Sequence, residues 1–260
     1  MAYGITRDTW EKGEGTVCLN KGRAGNACVY LVTVPDGRFV IKDFSKSPWW
    51  IRMTFGRFMI GHEYRMMKRL EGIPGVPQKL FRIDAYAFGM GFMEGETLSA
   101  HNVRGNQAEA ARMAGRPQAP EPRLPVAFFE EMETIVKEMH RRGVTHLDNR
   151  NAKNVMILPG NHPGLLDFQA GVFLHSWYPH WFREVLCLAD LSGVYKHWYR
   201  ELLDLPDDRL ELLRRHFRLR RLWVFKGYSF FKQRKPKGVE LYLFQKDAAA
   251  KRSGSDRGGH

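Results

Sequence analysis

Cysteine is scarce in this sequence, and its apolar runs are short. Cys18, Cys28 and Cys187 are scattered, odd in number and never at the spacing of a metal-binding pair. Reduced thiols in a cytoplasmic protein are therefore expected. The most apolar aromatic stretch, Trp49 to Ile60, is broken by Arg52 and Arg57 and falls short of a bilayer span. Met1 to Glu14 is polar and mixed in charge, without the apolar centre of a secretory leader. No transmembrane segment is expected, and the chain should rest at most on the inner face of the cytoplasmic membrane. Acidic residues are also in deficit: 28 stand against 41 lysines and arginines, a formal charge of +13. The resulting pI near 9.8 favours anionic company, meaning nucleotide phosphates, a glycolipid or phospholipid surface, or nucleic acid.

What is present suits a folded chain. Its 260 residues, 43% hydrophobic and 13% aromatic, support one large domain or two lobes that each bury a core. Cys28 to Val34 and Arg38 to Phe44 are β-rich runs joined by Pro35–Asp36–Gly37, which predicts a hairpin. Gly61 to Leu70 predicts a helix with Tyr64, Met67 and Leu70 on its apolar stripe. Phe81 to Ala87 and Phe88 to Met93 then read as short strands. From Ser99 to Pro125 the composition shifts to Ala, Gly, Arg, Asn, Gln and Pro. A mobile insertion is expected there, with a short helix near Ala108 to Met113. Val126 to Arg142 carries Phe128, Met132, Ile135, Val136 and Met139 at helical spacing, and Gly143 ends it. Two strands follow at Val155 to Leu158 and Leu165 to Phe168, then helices at Trp181 to Leu203 and Asp207 to Arg221. The segment 246–260 reads as a disordered basic tail.

Chemistry concentrates between Val144 and Phe168. A helix ends, then His146, Asp148 and a polar loop reach Asn154, which leads directly into a strand; the returning strand ends in Asp167–Phe168–Gln169. Such a helix–loop–hairpin brings Asp148, Asn154 and Asp167 to one loop-rich edge. Phosphoryl transfer needs such a set: one carboxylate to orient or deprotonate a hydroxyl, and a second carboxylate with an amide oxygen to hold Mg²⁺ against phosphates.

These residues resemble the motifs of the protein-kinase-like superfamily, His-x-Asp followed by Asn and then Asp-Phe-Gly. The resemblance implies an α+β, two-lobed protein-kinase-like fold. A small β-rich lobe would occupy residues 1–95 and a mostly helical lobe residues 96–245. It also implies ATP and Mg²⁺ as cofactors. Asp148 would be the catalytic base, with His146 beside it, and Asn154 and Asp167 the metal ligands, Asn151 being the competitor of Asn154. Arg150 stands where many kinases carry a phosphate-contacting lysine. Lys42 in Val40–Ile41–Lys42 would grip the α and β phosphates, with Glu63 as its ion-pair partner. Gly22 and Gly25 fit two glycines of a phosphate-covering loop, and Met93 and Glu94 fall at the hinge that would bind the adenine edge. Asp190 is read equally as an anchor of the catalytic loop or as an ordinary helix acid. Two departures stand out: the interval from Asp148 to Asn154 is one residue longer than usual, and Gln169 replaces glycine.

Within that superfamily, Glu63–Leu70, Ile73–Pro77 and Leu188–Leu191 are similar to bacterial lipopolysaccharide-core (Kdo/heptose) kinases and to RIO-type kinases. No Ala-Pro-Glu-like motif lies between Asp167 and Asp190, which argues against an ordinary peptide kinase. The expected activity is transfer of the γ-phosphate to a hydroxyl of a lipopolysaccharide-core-type sugar. The alternatives are a RIO-like serine/threonine kinase and a non-catalytic nucleotide-binding scaffold. Trp177 to Trp181 is expected to fill core rather than stack on a sugar, and Trp49 to Ile60 to form a covered helix face. Arg214, Arg215, Arg218, Arg220 and Arg221 crowd the last helix, which fits an anionic surface better than nucleic acid.

Overall fold

A period of two governs the amino-terminal half of the chain and a helical period most of the remainder. The computed structural model describes residues 2–222 apart from 12, 14, 23–26, 52, 54, 55, 117 and 118. The elements in order are α1 (Arg7–Glu11), β1 (Thr16–Asn20), β2 (Cys28–Val34), β3 (Gly37–Asp43), α2 (Trp49–Ile51), α3 (Arg57–Arg69), β4 (Phe81–Arg82) and β5 (Ala87–Gly91). Then come β6 (Glu96–Thr97), α4 (Leu98–Met113), α5 (Val126–Arg141), β7 (Val144–Thr145), β8 (Val155–Leu158), β9 (His162–Leu165), β10 (Val172–Phe173), α6 (His180–Leu202) and α7 (Asp207–Leu222). This is a mixed α/β fold with an antiparallel sheet and several helices, compatible with a two-lobed arrangement.

The large sheet runs β1-β2-β3-β5-β4. Val34 pairs with Gly37, so Pro35–Asp36 is a two-residue turn, and Gly37 takes the positive φ of 128° that the reversal requires. Because strand side chains alternate, Tyr30, Val32, Phe39 and Ile41 share one face and bury against Ile5 and Trp10. Val29, Val40 and Lys42 are left on the other. Val29 faces Lys42 across the ladder, and a one-residue slip would turn the lysine into the core. Arg7 ties α1 to the sheet by pairing with buried Asp43 at 3.1 Å and with Asp84.

The second core lies between α5 and α6, where Phe128, Phe129, Met132, Val136 and Met139 meet Val194, Tyr195 and Trp198. Phe129 stacks on Trp198 with ring centroids 5.7 Å apart. Buried aromatics of this size supply most of the apolar area that holds two helices together.

Four expectations fail. The returning strand is β9, His162–Leu165, and not Leu165 to Phe168, because Asp167 turns into a left-handed angle and Phe168 opens a 3-10 turn. The stretch expected as a mobile insertion is for the most part α4, capped where Thr97 Oγ1 accepts from Ala100 N at 3.2 Å. Its periodicity is faint because only Leu98, His101 and Ala108 turn inward. The run from Trp49 is not a covered face: α3 begins only at Arg57, and Trp49, Trp50 and Phe58 are exposed. Trp177 and Trp181 do not fill core either. They flank the connection into α6, where rings pack on rings. Among the described residues, no helix is long and apolar enough to cross a membrane.

Candidate active site

α5 stops at Gly143, whose φ of 74° turns the chain into β7 and then into the loop His146–Asn154. That loop is pinned from below by α6. The buried Asp190 carboxylate accepts from His146 N at 2.7 Å and Leu147 N at 2.6 Å. Leu147 sits at φ 61°, a strained position for a branched side chain, and these bonds hold it there. The same carboxylate pairs with His140 at 3.0 Å. Burial works against a charged His140, but Asp190 and Cys187 outweigh it and raise its pKa to about 9. Asp190 is thus an anchor of the loop, one of the two roles open to it.

Further braces come from the side chains of the loop. Asn149 Nδ2 donates to Asp190 O at 2.9 Å, and His197 contacts Asn149 O at 3.0 Å. Burial first of all pushes the His197 pKa down to about 3, so the ring is neutral. Gly193 makes room for this packing, since a Cβ there would stand 2.1 Å from Asn149 Oδ1.

Two expected site residues belong to this bracing rather than to the reacting face. His146 is fully buried, its Nε2 2.9 Å from Leu166 O and its ring 4.7 Å from Phe168. It positions the loop from beneath. Arg150 turns towards α6, donating to Ser192 Oγ at 2.6 Å, and does not line the cleft. Lys153 does line it, beside Asn154 and Asp167. That lysine is the residue motif spacing missed.

On the reacting side, Asn154 Nδ2 donates to Asp148 Oδ2 at 2.7 Å. The amide therefore orients the carboxylate and keeps its own oxygen as the atom able to meet a cation. Asn154 lines the cleft, whereas Asn151 is exposed and caps the turn by accepting from Lys153 N. Asp167 sits at φ 64°, ψ 79°, an angle that swings its carboxylate towards the sheet. There Lys42 Nζ lies 2.9 Å from Asp167 Oδ1 and 2.6 Å from Glu63 Oε1. Phe168 N donates to the same Glu63 oxygen at 3.2 Å. One carboxylate on α3 thus links β3 to the turn after β9.

Burial opposes the charge on Lys42, yet Glu63 and Asp167 together hold its pKa above the ordinary lysine value. Burial also raises Asp167, but Lys42 outweighs it and leaves that carboxyl below the usual range. Burial raises the Glu63 carboxyl, opposed by Lys42 and the Phe168 N–H. The cluster is aimed into a cleft of about 980 Å³. Val29, Val40, Met90, Met93 and Met156 supply apolar lining. An apolar slot with a few converging charges can take a flat ring at one end and an anionic chain at the other. Asp167 and Asn154 offer hard oxygen donors of the kind Mg²⁺ takes.

The remaining expected residues divide. Glu94 points away from the cleft and pairs with Arg38. Gly95 next to it, at φ 135°, packs so closely on Ile157 that a side chain would collide with that carbonyl. Gly22, at φ 66°, accepts an Asx-type turn by donating its N–H to Asn20 Oδ1 at 2.9 Å, while Gly25 lies outside the described residues.

No protein-family model matches this chain. Two curated proteins do, both named 3-deoxy-D-manno-octulosonic acid kinase, from Xanthomonas oryzae pv. oryzae strains PXO99A and KACC10331 / KXO85. Each is 28% identical over 165 residues, which cover 59% of this chain and 60% of the relative. The likeness is to a kinase. It supports a distant relationship to sugar-acid kinases, and the chain spans about three fifths of their length.

Proposed function

We propose that the chain is an ATP- and Mg²⁺-dependent kinase of two-lobed, protein-kinase-like fold, passing the γ-phosphate to a hydroxyl of a lipopolysaccharide-core-type sugar. The observation that carries this reading is the Glu63–Lys42–Asp167 linkage, closed by Phe168 N and sharing one cleft with Asn154, whose amide holds the Asp148 carboxylate. Ion pairs buried for structure alone need no open cleft beside them. The distant likeness to 3-deoxy-D-manno-octulosonic acid kinases supports both the reaction class and the sugar acceptor.

In this reading residues 1–95 form the smaller lobe, and the slot beneath β2, β3 and β5 takes the nucleotide. The ammonium of Lys42, kept in place by Glu63, binds the α and β phosphates. Asn154 and Asp167 would hold Mg²⁺, which supplies charge neutralisation to the phosphate chain when bound. Asp148, turned by Asn154, receives the acceptor hydroxyl and takes its proton as the new P–O bond forms, while the bond from the γ-phosphorus to the bridging oxygen breaks and ADP leaves. Lys153 offers a cation to the moving phosphoryl group. Reliance on ATP fits a cytoplasmic setting.

The acceptor is tested by mass spectrometry of products formed from ATP with a purified Kdo-bearing core glycolipid, alongside a generic protein acceptor. A gain of one phosphate on the glycolipid alone is expected. Transfer to protein alone would contradict the sugar assignment.

A further inference from the structure

Phe58, Trp177 and Trp181, exposed aromatics that fill no core, belong to one continuous chain of rings, with exposed Trp49 and Trp50 on the helix before α3. Phe58 on α3 stacks on His62 at 5.6 Å, and His62 meets Phe173 on β10 at 5.6 Å. From there the contacts run through His175 to Trp177 at 5.7 Å, to Tyr178 at 4.3 Å, to Phe182 at 5.3 Å and to Trp181 at 5.7 Å. His62 also bonds Gly171 O at 3.0 Å, so α3 and the segment before α6 meet here directly. At one end Met53 Sδ and the Arg57 guanidinium both lie on Tyr86, so Met53, two residues after α2, meets the start of α3 there. Exposure along this line is high: Trp49 72%, Phe58 61%, Trp177 75% and Trp181 61%.

Charge on the ridge has one sign. Neither 45–62 nor 172–183 contains an acidic residue, while Lys46, Arg57 and Arg183 are described there together with His175 and His180. The acids that directly follow these two stretches are both paired, Glu63 with Lys42 at 2.6 Å and Glu184 with Arg215 at 2.6 Å. Tryptophans projecting beside cations, with no acids between them, match the boundary between lipid headgroups and acyl chains. Indole rings partition into that layer, and anionic headgroups attract the surrounding cations.

We infer that the ridge from Trp49 to Trp181 is a docking surface for an anionic lipid bilayer, and that the protein rests on it without a spanning helix. This goes beyond the phosphotransfer reading and uses no catalytic step. Because His62 precedes Glu63 and Phe173 follows the turn after Asp167, docking would present the cleft next to the lipid surface.

Co-sedimentation of the full chain with vesicles tests the inference. Binding is expected to phosphatidylglycerol/phosphatidylethanolamine vesicles, to weaken with salt, and to be far weaker with pure phosphatidylcholine. Trp177→Ala/Trp181→Ala and, separately, Trp49→Ala/Phe58→Ala should each weaken it by about tenfold or more, with thermal unfolding unchanged. Trp177→Phe/Trp181→Phe should retain most of it. The inference is overturned if the wild-type chain stays in the supernatant, or if both alanine pairs bind like wild type, which would place the contact elsewhere. It is equally overturned if sedimentation velocity shows a dimer that the alanine pairs dissociate, since the ridge would then pack on a second copy. Phosphate transfer to a soluble sugar acid, measured on the same samples, keeps this outcome separate from the kinase reading.

Discussion

Two irregular stretches of this protein are built in opposite ways. The loop from His146 to Asn154 has almost no regular hydrogen bonding of its own, yet Asp190, Ser192, His197 and Lys196 on α6 hold it from beneath. The segment around Trp177 is just as irregular, but its rings mostly grip each other and face outward. Chemistry needs groups fixed to fractions of an ångström, and buried polar braces provide that. A contact surface needs exposed apolar area, and it tolerates a looser frame.

Removing the central brace should have the largest effect. Asp190→Ala leaves two backbone N–H groups and a protonated imidazole without their carboxylate. It is expected to cost about 3–5 kcal/mol of stability, read by chemical denaturation, and to abolish turnover.

The same brace predicts a pH dependence. His140 is raised to about 9 in the fold, so the folded state holds the proton more tightly than the unfolded chain. The contribution is complete below about pH 6.5 and is lost as the pH climbs through about 9. Unfolding free energy should therefore fall by on the order of 3 kcal/mol across that window, and the fall should vanish in His140→Gln. His197, lowered to about 3, acts on the acid side. Its neutral form is the one the fold prefers, so stability drops as the pH falls from about 6.5.

How much of this was legible without coordinates depended on how local the signal was. The hairpin was readable because Pro35–Asp36–Gly37 carries its own turn chemistry. The order of Asp148, Asn154 and Asp167 was readable because helix, loop and strand signals bracket it. Asp190 stayed ambiguous, since whether a helix acid anchors a loop depends on which loop lies above it. Arg150 and Lys153 differ only in which way a lengthened loop turns, and composition does not say. α4 was obscured by its surface: alanine, glycine and arginine on an outward face look like a linker. The aromatic runs misled for a related reason, because an apolar pattern reports the tendency to be covered and not the presence of something to cover it.

Smaller effects sharpen the contrast within the loop. Lys153→Ala should lower kcat by about tenfold or more with little change in melting temperature. Arg150→Ala should instead lower melting temperature through loss of its bond to Ser192, with activity falling only as the loop loosens. If Arg150→Ala alone reduced kcat at unchanged stability, the assignment of the two cations would be reversed. The smallest change is expected on the ridge, where Trp177→Ala/Trp181→Ala should leave unfolding free energy within about 0.5 kcal/mol of wild type.

The central claim is that Asp148, held by Asn154 of the Lys42–Glu63–Asp167 cleft, serves phosphoryl transfer. The most direct test is Mg²⁺-dependent transfer of label from γ-³²P-ATP to the core glycolipid, wild type against Asp148→Asn at matched folding. A loss of roughly a hundredfold or more in kcat, with nucleotide binding retained, is the predicted result. Transfer by Asp148→Asn at the wild-type rate would contradict it.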